Sequence, residues 1–191
     1  MKLKILWRAN QRQKNTSNLF RYEKFLSSKY KFKADQKYSK ILNWSIKNPK
    51  KFWSSIWDFT KVKGYKSLKF EKSNIFFKNK FLKNSKLNFA ENLLSKKDNS
   101  KAITFINEQG YREVRSWREL NKNVKKLITF FKFIKIKEKD RIAAYLPNLI
   151  ETVESFIATS AIGSIWSSCS PDFGTSGVIE RFSQIKPKVL I

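Results

Sequence analysis

The sequence contains no histidine. Within these residues that absence removes a His general base, a Ser-His-Asp triad and any His-ligated metal. A single cysteine, Cys169, leaves no internal disulfide and no thiolate zinc site. It reads as a small buried residue of a reducing compartment, because a nucleophilic thiol would lack a His to activate it. Glycine is sparse, with five in 191 residues, and neither G-x-G-x-x-G nor G-x-x-x-x-G-K-[ST] occurs, so a dinucleotide or P-loop phosphate cradle has no support. Apolar runs such as Ile128 to Phe131 fall far short of the about 20 residues a membrane helix needs. Met1 to Trp7 has two lysines but too short an apolar stretch for a signal peptide. The expected compartment is cytoplasmic. Acidic residues are also few, 15 against 41 Lys and Arg, for a net charge of +26.

That charge raises a nucleic-acid or anionic-surface partner as one function class. Its distribution weakens the idea. Lysines run along the whole length, while arginine, the usual bidentate phosphate reader, is confined to eight positions from Arg8 to Arg181. Lys arrives with many Asn, Ile and Phe, as AT-rich coding would produce, so the expected role of the charge is a solvated surface and no nucleic-acid partner is expected. The aromatic content, with six Trp and 17 Phe, argues against disorder and for one or two packed domains.

Along the chain, residues 15–60 read as helical and aromatic. Asn18 is a candidate cap for a helix bearing Leu19, Tyr22, Phe25 and Leu26. A second helix is expected from near Asp35, with Tyr38, Ile41 and Leu42. Asn48-Pro49 supplies an N-cap and a proline at the first helical position of a third, whose stripe Phe52, Trp53, Ile56 and Trp57 reads as core. The other reading of that stripe is a platform for nucleobases. Residues 61–86, Lys-rich and without a clear period, read as an irregular covering segment or linker. Asn88 then caps a short helix over Phe89 to Leu94.

From Ala102 the periodicity changes. Two short runs around Glu108-Gln109-Gly110 signal a hairpin. Ser116-Trp-Arg-Glu119 is a capping box, opening a helix with Trp117, Leu120, Val124, Leu127, Ile128 and Phe131 on one face. Lys122, Lys125 and Lys126 lie opposite, so a basic membrane-surface helix is the alternative to packing on a sheet. Arg141 to Leu146, Ser164 to Ser168 and Lys188 to Ile191 read as strands, separated by helices over Ile150 to Ile162 and Thr175 to Ile185. That alternation predicts right-handed crossovers and a parallel sheet. The predicted fold class is therefore α/β: a helical, aromatic-rich N-terminal segment, a small hairpin, and the first βαβαβ part of a doubly wound parallel sheet. The expected division is 1–95 and 96–191. Because Lys-Val-Leu-Ile would end the chain inside a central strand, the expectation is an N-terminal piece of something longer.

Ordered blocks carry a family resemblance. They are Leu42-Asn-Trp-Ser-Ile46, Phe52-Trp-x-x-Ile-Trp-Asp-Phe59, Leu87-Asn-Phe-Ala-Glu-Asn-Leu-Leu94, Asp140-Arg-Ile-Ala-Ala-Tyr-Leu-Pro-Asn148, Gly163-Ser-Ile-Trp-Ser-Ser-Cys-Ser-Pro-Asp-Phe-Gly174 and Arg181-Phe-x-Gln-Ile-x-Pro-Lys-Val-Leu190, preceded by Leu6-Trp7. In this order they resemble the N-terminal third of acetoacetate–CoA ligases, within the adenylate-forming acyl-CoA synthetase superfamily. The pattern departs at Ala9, where a Pro is usual, and at Phe81-Leu-Lys-Asn-Ser85, which replaces an aromatic-Phe-Pro-Gly-Ala approach. The resemblance implies activation of acetoacetate by ATP to an acyl-adenylate, then attack by the CoA thiol. ATP, CoA and Mg2+ are implied for a full-length enzyme. It also implies that the phosphate loop and the adenylating Lys lie outside these residues, leaving no catalytic residue here and no activity in this portion alone. What it does place here is the CoA side, at Ser170, Pro171 and Asp172, where helix-terminal amides could favour polar groups. The plainer reading of that loop is a cap by Asp172 or Thr175 for the next helix. Other acyl-CoA synthetases, of acetyl or propionyl type, remain the alternative within the superfamily.

Overall fold

Extended backbone at Ser17 starts the main helix of the N-terminal unit, because its hydroxyl accepts the amide of Phe20 at 3.2 Å. The computed structural model describes residues 6–191; the expectation about a signal peptide falls mostly on residues 1–5, outside the described ones. Contacts divide the chain into two compact units, Met1–Lys86 and Leu87–Ile191.

The first unit holds α1 (Gln11–Thr16), α2 (Asn18–Tyr30), α3 (Tyr38–Lys47) and α4 (Pro49–Phe59), then β1 (Lys69–Glu71) and β2 (Lys80–Lys83). The cap of α2 is thus Ser17 rather than Asn18. Nor does α3 begin near Asp35: Asp35 and Gln36 have φ of 54° and 57°, a left-handed turn that a right-handed helix cannot contain. Tyr22, Leu26, Ala34 and Ile41 form the buried centre. The Asn48 side chain serves the preceding helix, donating to the Trp44 carbonyl at 3.2 Å, while Pro49 starts α4.

The aromatic stripe on α4 is only partly core. Phe52 and Ile56 pack on the buried cluster, but Trp53 is 42% exposed and leans on Phe81. The fully buried residue of α4 is Ser55. Its one hydroxyl proton goes to the Phe52 carbonyl at 2.6 Å, so the Tyr22 hydroxyl donates to Ser55 at 2.6 Å. Residues 61–86, expected to be irregular, contain the antiparallel β1–β2 pair, with Phe70 and Phe81 stacked. Strands of three and four residues with a register slip at Lys69/Glu71 leave no alternation to read.

In the second unit, α5 (Phe89–Leu93) is capped by Asn88, whose side chain accepts from Glu91. It packs on α7 (Ile150–Ala161), so it belongs with this unit rather than with the helices before it. β3 (Lys101–Ile106) and β4 (Arg112–Ser116) form the expected hairpin. The Ser116–Glu119 capping box opens α6 (Trp117–Phe133). Leu120, Val124 and Phe131 are buried with Ile142, Ile157 and Ala158, so the apolar face of α6 is core and not a membrane face.

β5 (Arg141–Tyr145), β6 (Ile165–Cys169) and β7 (Val189–Leu190) form a parallel sheet in the order β6-β5-β7, with β5 central and β7 outside it among the described strands. Strand side chains alternate between faces. Ile142, Trp166 and Val189 meet α6 and α7 on one face, whereas Ala143 and Cys169 meet Val178 and Phe182 of α8 (Gly174–Ile185) on the other. Helices on both faces make the layer doubly wound. Cys169 is buried, as expected.

Candidate functional site

The order β6-β5-β7 makes the chain step outward from β5 to β6 and then cross back over β5 to β7. In open parallel sheets such a reversal opens a crevice at the carboxyl ends of the strands on either side of it. Here those strands are β5 and β7. Sequence reasoning singled out the loop after β6 and missed the end of β5, because strand order does not follow from strand sequence.

Two loops converge beside this switch point. The first follows β5: the Pro147 carbonyl accepts from Leu149 N at 2.9 Å and from Thr152 Oγ1 at 2.8 Å, a tight turn into α7. The second is Ser170–Gly174. Tyr145, the last residue of β5, pairs with Cys169 across the sheet. Its hydroxyl donates to the Pro171 carbonyl at 2.9 Å, tying the two loops together.

Within the second loop, Ser170 Oγ donates to Asp172 Oδ2 at 2.6 Å and receives the Asp172 amide at 3.4 Å. Ser170 therefore caps a 3-10 turn over Pro171–Phe173. Neither Asp172 nor Thr175 caps α8. That helix begins after Phe173 without a side-chain cap, because the 3-10 turn delivers the chain to it and Asp172 already bonds backwards to Ser170. Gly174 sits at φ 63°, a turn that favours glycine. Two helical turns on, the Arg181 guanidinium lies 4.3 Å from the centre of the Phe173 ring and donates to the Gly177 carbonyl at 3.0 Å. Ser170, Pro171 and Asp172 are thus together at the strand ends and partly or fully exposed, with Tyr145 as their unanticipated anchor.

A second polar cluster joins β4, α6 and α7. Glu154, in the middle of α7, is only 4% exposed. Asn123 of α6 donates to its Oε1 at 2.9 Å. Arg115 Nε lies 3.1 Å from the same oxygen, but its N–H is not aimed there, so the contact is ionic rather than a directed hydrogen bond. Arg115 also reaches Glu113 at 3.0 Å and Glu151 at 3.2 Å. Burial pushes the Glu154 carboxyl above the usual range, while the Asn123 bond and the Arg115 charge pull it back. This cluster clamps β4 to α7.

The described residues contain no group of three His, Cys, Asp or Glu able to hold a metal. No helix among them is long and apolar enough to cross a membrane. The residues at hand do not fit ATP phosphates: the loop offers a carboxylate and no lysine, and no step is derived through ATP or Mg2+.

The family model for AMP-binding enzymes matches residues 90–191, more than half of the chain. The acetoacetyl-CoA synthetase of Xenopus tropicalis is 38% identical over 159 residues, covering 81% of this chain and 24% of the relative. Malonamoyl-CoA synthetase vrtB of Penicillium aethiopicum is 29% identical, covering 97% of this chain and 27% of the relative. The structure of acetoacetyl-CoA synthetase from Streptomyces lividans superposes with a TM-score of 0.89 at 25% identity, over 98% of this chain and 30% of that one. The chain thus spans about a quarter of the length of the curated relatives it matches. On the match over residues 90–191, the chain belongs to the AMP-binding enzyme family.

Proposed function

We propose that this chain forms the N-terminal portion of an acid–thiol ligase that activates acetoacetate with ATP and passes the acyl group to CoA, yielding acetoacetyl-CoA, AMP and pyrophosphate. The observation that carries the proposal is the superposition of nearly the whole chain, both units included, on an acetoacetyl-CoA synthetase. The N-terminal helices act in this reading as a leading segment and the following α/β part as the start of the AMP-binding domain, the boundary expected at 95/96 falling at 86/87 because α5 packs on α7. Ser170, Pro171 and Asp172 flank the CoA side. There CoA supplies the attacking thiol, while Tyr145 holds the loop in place through the Pro171 carbonyl. The negative charge of Asp172 fits the pantetheine stretch rather than a phosphate. These 191 residues are not competent alone, since they contain neither a Ser/Thr/Gly-rich phosphate loop ending in Lys nor the adenylating Lys.

A second reading keeps the chemistry and changes the acid. It is favoured by the malonamoyl-CoA synthetase, which matches over almost the same span.

One assay separates these readings. Thioester and AMP formation are measured with acetoacetate, acetate and malonamate, using the longest protein that contains these residues and, in parallel, the 191 residues alone. The expected result is the highest kcat/KM with acetoacetate and no turnover by the 191 residues. Preference for another acid overturns the substrate, and AMP release by the short chain overturns its incompetence.

A further inference from the structure

The tip of the β1–β2 ribbon presents two phenylalanines to solvent, Phe76 at 88% and Phe77 at 82% exposure, with Ile75 beside them at 44%. Three consecutive large apolar side chains in the open are not explained by packing within this unit. Their turn is nevertheless well built. Residues Phe76–Lys78 form a 3-10 turn in which Lys78 N donates to the Ile75 carbonyl at 3.0 Å and Asn79 N to the Phe76 carbonyl at 3.2 Å. Asn79 Nδ2 donates to the same Phe76 carbonyl at 2.8 Å, and Asn79 Oδ1 accepts from Ser73 N at 3.0 Å. Ser73 Oγ accepts from Ile75 N at 3.1 Å. The turn is thus held by its own hydrogen bonds, with the amides of Ser73, Ile75, Lys78 and Asn79 each bonded within it.

Around the tip the charge is of one sign. Lys72, Lys78 and Lys80 are exposed, and their ammonium groups have no ion-pair or hydrogen-bond partner among the described residues. The whole unit is unbalanced: residues 1–86 carry 24 Lys and Arg against 4 Asp and Glu, net +20. Each of those four carboxylates is already taken. Asp35 pairs with Lys40, Asp58 with Lys29 and Lys66, Glu71 with Lys83, and Glu23 accepts the Gln36 amide. Beside the tip, Phe76 continues into an apolar groove of about 420 Å³ lined also by Ile46, Trp53, Phe70 and Phe81.

We propose that the Phe76–Phe77 tip of the first unit is a peripheral anchor for an anionic lipid bilayer, the two rings entering the interface while Lys72, Lys78 and Lys80 meet lipid phosphates. Charge complementarity selects this occupant. A second copy would bring +20 against +20, and the protruding apolar tip suits penetration rather than the flat stacking that single-stranded nucleic acid uses. Interfacial aromatics backed by lysines are the usual composition of such anchors. The proposal is independent of the reaction proposed above, which would proceed whether or not the protein sits on a membrane.

The test is co-sedimentation of the longest protein that contains these residues with vesicles of phosphatidylcholine and phosphatidylglycerol, and with phosphatidylcholine alone. Binding is expected on the anionic vesicles only, weakening as NaCl rises from about 0.1 to 1 M and the Debye length falls from about 10 to 3 Å. Replacing Lys72, Lys78 and Lys80 by Gln is expected to lower partition about 100-fold. Phe76→Ser with Phe77→Ser should lower it at least about tenfold with an unchanged circular dichroism spectrum, since both rings are exposed. As a second readout, Phe77→Cys carrying an environment-sensitive dye should shift to the blue on anionic vesicles. Equal binding to both vesicle types, no effect of the Phe changes, no dye shift, or Phe-dependent binding to oligothymidine tighter than to vesicles would each overturn the proposal.

Discussion

Glu154 shows how one side chain fixes a joint. Its carboxylate is buried against Arg115 and Asn123, and burial holds its pKa above the ordinary value of 4.5. A raised carboxyl pKa means that the folded state binds the proton more tightly than the unfolded chain. Its contribution to stability is present below about pH 4.5 and is lost as pH rises through the folded value. Arg115 limits that loss by compensating the charge. Replacing Arg115 with Met strands a buried carboxylate, and the expected cost at pH 7 is about 3 kcal/mol, read from the midpoint and slope of urea unfolding. The deficit should shrink toward pH 4, where Glu154 takes up its proton. A deficit that is constant or larger in acid would mean that Arg115 acts through packing alone. No sequence pattern announced this pair, since Arg115 and Glu154 lie on separate elements. Ser55 was equally hidden: a serine among aromatics reads as a gap in the stripe, yet it is the buried partner of Tyr22.

Elements with strong local signals were legible, because their determinants lie within a few residues of each other. The capping box of α6, the Asn88 cap and the Asn107–Tyr111 turn all form where the residue types put them. Gly163 is a further local determinant. It follows α7 at φ 72°, and its carbonyl accepts from Lys139 at 2.9 Å. A Cβ there would lie 2.9 Å from Glu138 Cγ. Gly163→Ala is therefore expected to cost at least about 1–2 kcal/mol for the left-handed backbone, with α7 and β6 losing hydrogen-exchange protection together. Unchanged stability would show that the turn can reset. Weak elements went unread for the complementary reason. The β1–β2 ribbon is too short to show a period, and although α8 begins within a residue of its expected start, its expected cap was misread because Ser170 caps a 3-10 turn ahead of it.

For the molecule as a whole, charge is the dominant long-range quantity. With +20 in the first unit, self-repulsion opposes folding even though Asp35, Asp58 and Glu71 are paired. For Asp58 burial pulls the carboxyl upward, but the hydrogen bonds from Lys29 and Lys66 outweigh it and hold it below 3.8. Hydrogen bonds from Lys40 and Lys83 hold Asp35 and Glu71 below their usual 3.8 and 4.5. A depressed carboxyl pKa gives stability that is present above the unfolded value and lost as pH falls through the folded one. Acid therefore removes the few attractive contacts and leaves the repulsion. Salt acts mainly on the repulsion, so the thermal midpoint at pH 7 is expected to rise as NaCl goes from about 0.1 to 1 M. A falling midpoint would show that the four pairings outweigh the unpaired cations.

The sequence by itself determined the α/β class, the parallel alternation after residue 140, most helix starts and the family, because caps, periods and ordered motif blocks are local or one-dimensional. The tertiary structure alone decided the rest. Strand order β6-β5-β7 set the switch point at the ends of β5 and β7 and placed Tyr145 under the Ser170–Asp172 loop; packing of α7 on β4 buried Glu154 against Arg115, and the fold of the first unit left Phe76 and Phe77 uncovered. Each of these depends on which distant surfaces meet, and the free energy of that meeting is shared between partners that no single stretch of sequence contains.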